Sequence, residues 1–91
     1  MSEIQIIRNP EASELESLGV EDWPVWSCEV SRFPWTYEER ETCYILEGRV
    51  TVTPEGGDPV TIGAGDLVTF PAGLSCTWDV HEPIRKHYCF G

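Results

Sequence analysis

The chain has 91 residues, 41% of them hydrophobic and 24% charged, the profile of one packed globular domain rather than a disordered or collagen-like chain. Sixteen acidic against six basic side chains give a formal net charge of −10, which argues against nucleic acid as a partner, because binding a phosphate backbone requires a basic face that releases counterions. No run of 18 apolar residues offers a membrane span and Met1 to Arg8 carries no leader-like pattern, so the expectation is a cytoplasmic protein without a membrane partner.

In chain order, a short apolar stretch at Ile4 to Ile7 reads as a strand. Asn9 followed by Pro10 then reads as an N-cap with proline at the first helical position, and Gly19 closes a short helix. Its spacing puts Leu15 and Leu18 on one face, with Glu11, Glu14 and Ser17 largely on the other, enough to cover a barrel mouth or edge. Residues 1–22 are therefore expected to be an N-terminal strand and helix packed on a barrel formed by residues 23–91.

From Trp26 the period switches to two, with Trp26, Cys28 and Val30 alternating against Ser27 and Glu29. Turn signals recur at Arg32 to Pro34, Glu47-Gly48, Pro54 to Pro59, Gly63 to Asp66, Pro71 to Gly73 and Glu82-Pro83. Short strands at that rhythm imply an all-β sandwich or barrel. Thr42 to Leu46 is apolar on both faces, as expected of a strand covered on two sides, most simply in a homodimer. Leu74, Cys76, Trp78 and Val80 share one face of the next clear alternation, so Cys76 and Trp78 point inward. On the last strand Ile84, Tyr88 and Phe90 form the apolar face, and Arg85, His87 and Cys89 share the opposite one. Cys28, Cys43, Cys76 and Cys89 contain no C-x-x-C pair and are expected as free thiols.

Two spacings, Glu41-x6-Gly48 and Gly65-x5-Pro71-x-Gly73, resemble the paired motifs of the cupin superfamily. The resemblance implies a single jelly-roll β-barrel (a double-stranded β-helix, RmlC-like) that encloses one small cavity. In metal-binding cupins the first motif supplies two histidines and a glutamate and the second a further histidine. Those places fall here on Trp35, Tyr37, Glu41 and Cys76, and the chain holds only two histidines, His81 and His87. The segments ETCYILEGRV, GDLVTFPAGLSCTW and EPIRKHY are also similar to the small cupins related to (S)-ureidoglycine aminohydrolase, a family of two-barrel manganese enzymes. This likeness runs from about Trp23 to Phe90.

Glu41 is the most informative residue, since a carboxylate inside a barrel needs a metal, a cation or hydrogen bonds. It is expected as a ligand anchor or general base, or as a buried hub held by Tyr37, Arg40 or Arg85. Cys76 is the second catalytic candidate, as a nucleophile or ligand; strand parity places its natural partner His87 on the opposite face. Glu41 and Cys76 are also the only metal-ligand candidates. Trp35, Tyr37, Cys43 and Trp78 complete the expected pocket, while Trp23 and Trp26 are assigned to core or interface.

Three functions follow. The first is a cupin that binds a small polar organic molecule without a histidine-based metal site. The second is a hydrolase or isomerase resembling the aminohydrolase, with a divalent metal on Glu41 and Cys76. The third is a homodimeric structural subunit with a vestigial pocket.

Overall fold

The computed structural model describes residues 4–91; the first three residues of the Met1 to Arg8 stretch read above lie outside them. Seven strands and one helix follow in the order β1 (Gln5–Arg8), α1 (Ala12–Leu18), β2 (Val25–Cys28), β3 (Ser31–Thr36), β4 (Glu41–Pro54), β5 (Val60–Gly63), β6 (Asp66–Phe70) and β7 (Ser75–Phe90), with a 3-10 turn at Val20–Asp22. No helix among the described residues is long and apolar enough to cross a membrane.

Two long antiparallel strands organise everything else. β4 and β7 pair along almost their whole length, from Glu41 opposite Phe90 to Pro54 opposite Cys76. The first half of β4 takes β6 on its other edge and β6 takes β1, while the second half of β4 takes β5. Likewise β3 pairs the first half of β7 and β2 the second. Two antiparallel layers result, sharing β4 and β7, and their inner faces meet: Phe70 of β6 lies 5.9 Å from the Trp78 ring, and Trp26 of β2 lies 6.0 Å from the same ring. This is the all-β architecture that the turn rhythm implied, and the jelly-roll barrel that the motif resemblance implied.

The bend between layers falls where the sequence reads as two turns. Neither Glu47-Gly48 nor Glu82-Pro83 reverses the chain; both lie inside the long strands. The register shifts between Ile45 and Val50 instead, as a bulge does. One consequence is a change of parity: Glu41, Cys43 and Ile45 face inward before the bulge, Val50 and Val52 after it. Gly48 is required there, since its φ is +96° and a Cβ would sit 2.1 Å from the Pro83 carbonyl oxygen. A glycine that reads as a turn is thus the point of closest approach between two bent strands.

Other expectations need correcting. Arg32 to Pro34 is not a turn but part of β3, an edge strand that tolerates proline because its other side pairs with no strand among the described residues. The chain does not reverse at Glu29 and Val30 either; β2 and β3 both run antiparallel to β7, and the two residues between them follow its bend, which leaves Val30 exposed rather than inward. The helix begins two residues later than Asn9-Pro10 suggests, with Glu11 as N-cap. Asn9 takes a left-handed φ of 48° and its N–H donates to the Gly65 carbonyl, a turn that ties β1 to the β5–β6 connection. Gly19 does close the helix, in the left-handed conformation. Leu18, expected to cover the barrel, is 47% exposed, because this seven-residue helix buries none of its side chains.

Candidate functional site

A cavity of about 240 Å³ opens between the layers, walled by Trp26, Phe33, Trp35, Tyr37, Trp78, Tyr88 and Phe90 and containing two charged groups, Glu41 and Lys86. Trp35 and Phe90 are each 50% exposed and form its rim, whereas Glu41 and Lys86 are 4% and 5% exposed.

Local pattern explains each placement. Glu41 is the first residue of β4 and shares the inward parity of Cys43 and Ile45. Lys86 shares the inward parity of Ile84 on β7 and stands opposite Ile45, two inward positions along β4 from Glu41. Its four-carbon stem spans that gap, and Nζ donates to Glu41 Oε2 at 2.6 Å. The ammonium also lies 5.0 Å from the Trp26 ring centre and 4.8 Å from that of Trp78. A carboxylate and two indole faces therefore surround the lysine head group.

Glu41 Oε1 makes no hydrogen bond among the described residues, yet no fully buried side-chain oxygen or nitrogen there lacks a partner. Oε1 thus keeps accessible surface. Beside it, Tyr37 stacks on Phe70 with centres 4.7 Å apart, and its hydroxyl accepts from Trp78 Nε1 at 3.2 Å. Burial, reinforced by the Glu41 carboxylate, pushes the Tyr37 phenol upward from its ordinary range, so it remains a neutral hydroxyl with a proton to give.

Among the residues expected in the pocket, Trp35, Tyr37, Glu41 and Trp78 line it together. Cys43 and Cys76 do not. Both are buried among core side chains, and Cys76 reaches only a shallow groove beside Pro34, Thr53 and Pro54. Burial pushes the Cys43 thiol up to about 12 and the Cys76 thiol up to about 11, so neither is a thiolate at neutral pH. Cys76 Sγ donates to the Trp35 carbonyl instead. All four cysteines are free thiols, as expected.

The other proposed partners of Glu41 lie elsewhere: Arg40 donates to the Gly91 carbonyl, and Arg85 approaches Glu47 at the surface. His87 Nδ1 donates to the Trp23 carbonyl on the outer side of β7. Lys86, Trp26, Phe33, Tyr88 and Phe90 are the members that sequence reasoning missed. The signal for Lys86 was its even spacing from Ile84 and Tyr88; for Trp26, that it begins the inward alternation.

The donor set does not suit a metal. Of the four positions where cupins place ligands, Glu41 alone is a good donor, and the cation already on it would repel another. No group of three candidate ligand residues gathers among the described residues.

A two-layered jelly roll with a cavity between bent sheets is the architecture of the cupins. The chain belongs to the EutQ-like cupin domain family, which matches residues 15–88. It is similar to a DUF861 family protein from Thermotoga maritima, at 54% identity and a TM-score of 0.95, covering 98% of this chain and 100% of that one. It also resembles a DUF1255 protein from Acidithiobacillus ferrooxidans (26% identity, TM-score 0.67, 69% of this chain and 60% of that one). A further likeness is to ethanolamine utilization protein Q from Salmonella typhimurium (29% identity, TM-score 0.65, 72% of this chain and 53% of that one). The chain thus spans only about half of that last protein. None of the curated proteins matches it.

Proposed function

We propose that the cavity binds a small, flat, polar organic molecule, oriented by Lys86, Glu41 and Tyr37 rather than by a histidine-held metal. The carrying observation is the lysine–carboxylate pair inside an aromatic cavity. Burying such a pair costs more desolvation than its attraction usually returns, and filling the same space with apolar side chains would stabilise the barrel better. Retaining it makes sense where polar groups must face a ligand.

Benzamide is a suitable probe, flat and uncharged with an acceptor and donors at one end. In ¹H–¹⁵N NMR titrations it should shift the indole N–H signals of Trp26 and Trp78 with a Kd of roughly 1 mM, about −4 kcal/mol. Trp26→Leu should weaken it about tenfold through the lost ring face. Saturating shifts confined to other parts of the barrel would sink this reading.

The aminohydrolase-like reading finds little support here, because Glu41 and Cys76 do not converge on a common point of the cavity. Homodimerisation is carried further as a proposal: Tyr44 and Leu46, on the outer face of β4, are only half-buried in one chain. Light scattering at micromolar concentration should give twice the chain's 10.3 kDa, and a monomer would remove the idea. Four free thiols fit a reducing, cytoplasmic setting.

A further inference from the structure

We propose that the Glu41–Lys86 pair makes the cavity a proton-transfer site for uncharged carbonyl compounds, with Glu41 as the base at the carbon next to the carbonyl. This rests on the ligand-binding reading above and adds a reaction to it. Three observations lead there.

The first concerns charge. Glu41 and Lys86 neutralise one another at 2.6 Å, both nearly inaccessible, behind walls that are otherwise aromatic. A ligand with net charge would enter without a counter-charge and lose its hydration, a heavy cost in such surroundings. The site selects neutral molecules. Its volume, about 240 Å³, equals about eight waters of liquid, room for a ring or short chain carrying one carbonyl.

Next, the contacts of the lysine decide between two chemistries. An amine that attacks a carbonyl to form an imine needs its nitrogen lone pair free and aimed at the carbon. Here Lys86 Nζ donates to the Glu41 carboxylate and lies against two indole faces. Lys86 is therefore placed as a donor to oxygen and not as a nucleophile. The neutral Tyr37 hydroxyl, whose proton has no acceptor among the described residues, is a second donor from the same wall.

Finally, the carboxylate is divided in its duties. Oε2 accepts from Lys86, and Oε1 stays accessible. With a carbonyl oxygen held by Lys86, Oε1 takes a proton from the adjacent carbon. The C–H electron pair becomes the C=C bond of the enolate, and the carbonyl π pair moves onto the oxygen, where the ammonium stabilises it. Return of a proton from Glu41 to carbon regenerates the ketone, so no oxidant, reductant or second substrate is needed. The net result is exchange, or isomerisation where the proton returns to the other face or a neighbouring carbon.

Acetophenone in D₂O tests this by NMR. Its methyl protons should exchange at least 10²-fold faster with the protein than in buffer, and Glu41→Gln should abolish most of that acceleration even at saturating ketone. Glu41→Asp keeps the charge pair but retracts the base, and should exchange more slowly at saturation; it serves if the glutamine variant fails to fold. Benzoate, of matching size but charged, should bind at least tenfold more weakly. Binding without exchange, or exchange that survives both Glu41 variants, overturns the proposal and leaves the ligand-binding reading standing. Failure of both acetophenone and benzamide to bind overturns both. Benzoate binding as tightly as the ketone overturns the selection for neutral molecules.

Discussion

Replacing Lys86 by methionine is expected to destabilise the protein by about 3–5 kcal/mol, the range for breaking a buried ion pair by removing one partner. The methionine side chain fills nearly the same volume, so lost packing contributes little. What remains is the Glu41 carboxylate, 4% exposed in a cavity walled by aromatic rings, with no cation beside it. For a domain whose total stability is about 5–15 kcal/mol, this is a large share. Removing both charges, as Glu41→Leu with Lys86→Met, should recover most of the loss and equal or exceed the parent. Urea denaturation of the two single variants and the double variant measures the cycle. A cost below about 1 kcal/mol for Lys86→Met would mean that water screens the pair, and the pocket would have to be redrawn as open.

Gly48→Ala should cost about 4 kcal/mol or more, or prevent folding outright, which places it among the exceptional single substitutions. Two penalties combine: a left-handed φ of +96° and a Cβ driven to 2.1 Å from the Pro83 oxygen, which belongs to the backbone of the facing strand and cannot swing aside. Gly56→Ala is the control. It shares a positive φ of +74° but has nothing within 4 Å, so it should cost only about 1 kcal/mol. Thermal denaturation separates the two, and equal losses would show that close approach at the bend is unimportant.

The barrel was legible because its punctuation is chemical. The Pro71-Ala72-Gly73 segment marks a real reversal between β6 and β7, Gly65, with φ +91°, a real break between β5 and β6, and the Leu74 to Val80 alternation gave the correct inner face of β7. Bends within strands were not legible, since glycine at a bulge and glycine at a turn are the same letter, and only the partner strand distinguishes them. The site was half legible. Glu41 stood out as a lone carboxylate at an inward position, but a lysine is expected outside, and Lys86 was passed over although Ile84 and Tyr88 flank it at the same parity. Cys76 shows the opposite failure: its inward direction was right, yet the cavity occupies only part of the interior, and ring stacking by Phe70, Tyr37 and Trp78 fills much of the rest.

The dominance of β7 also has a bearing on how the chain reaches this state. β2, β3 and one edge of β4 all find their partners within residues 75–90, so these must wait, unpaired, for the segment made after them. Contacts bridging 22 residues between Pro54 and Cys76 and 49 between Glu41 and Phe90 raise the entropic cost of the transition state and slow its crossing. During that delay the waiting strands are open to wrong partners, and the ten-unit negative charge, which repels one copy from another, guards against aggregation in the interval.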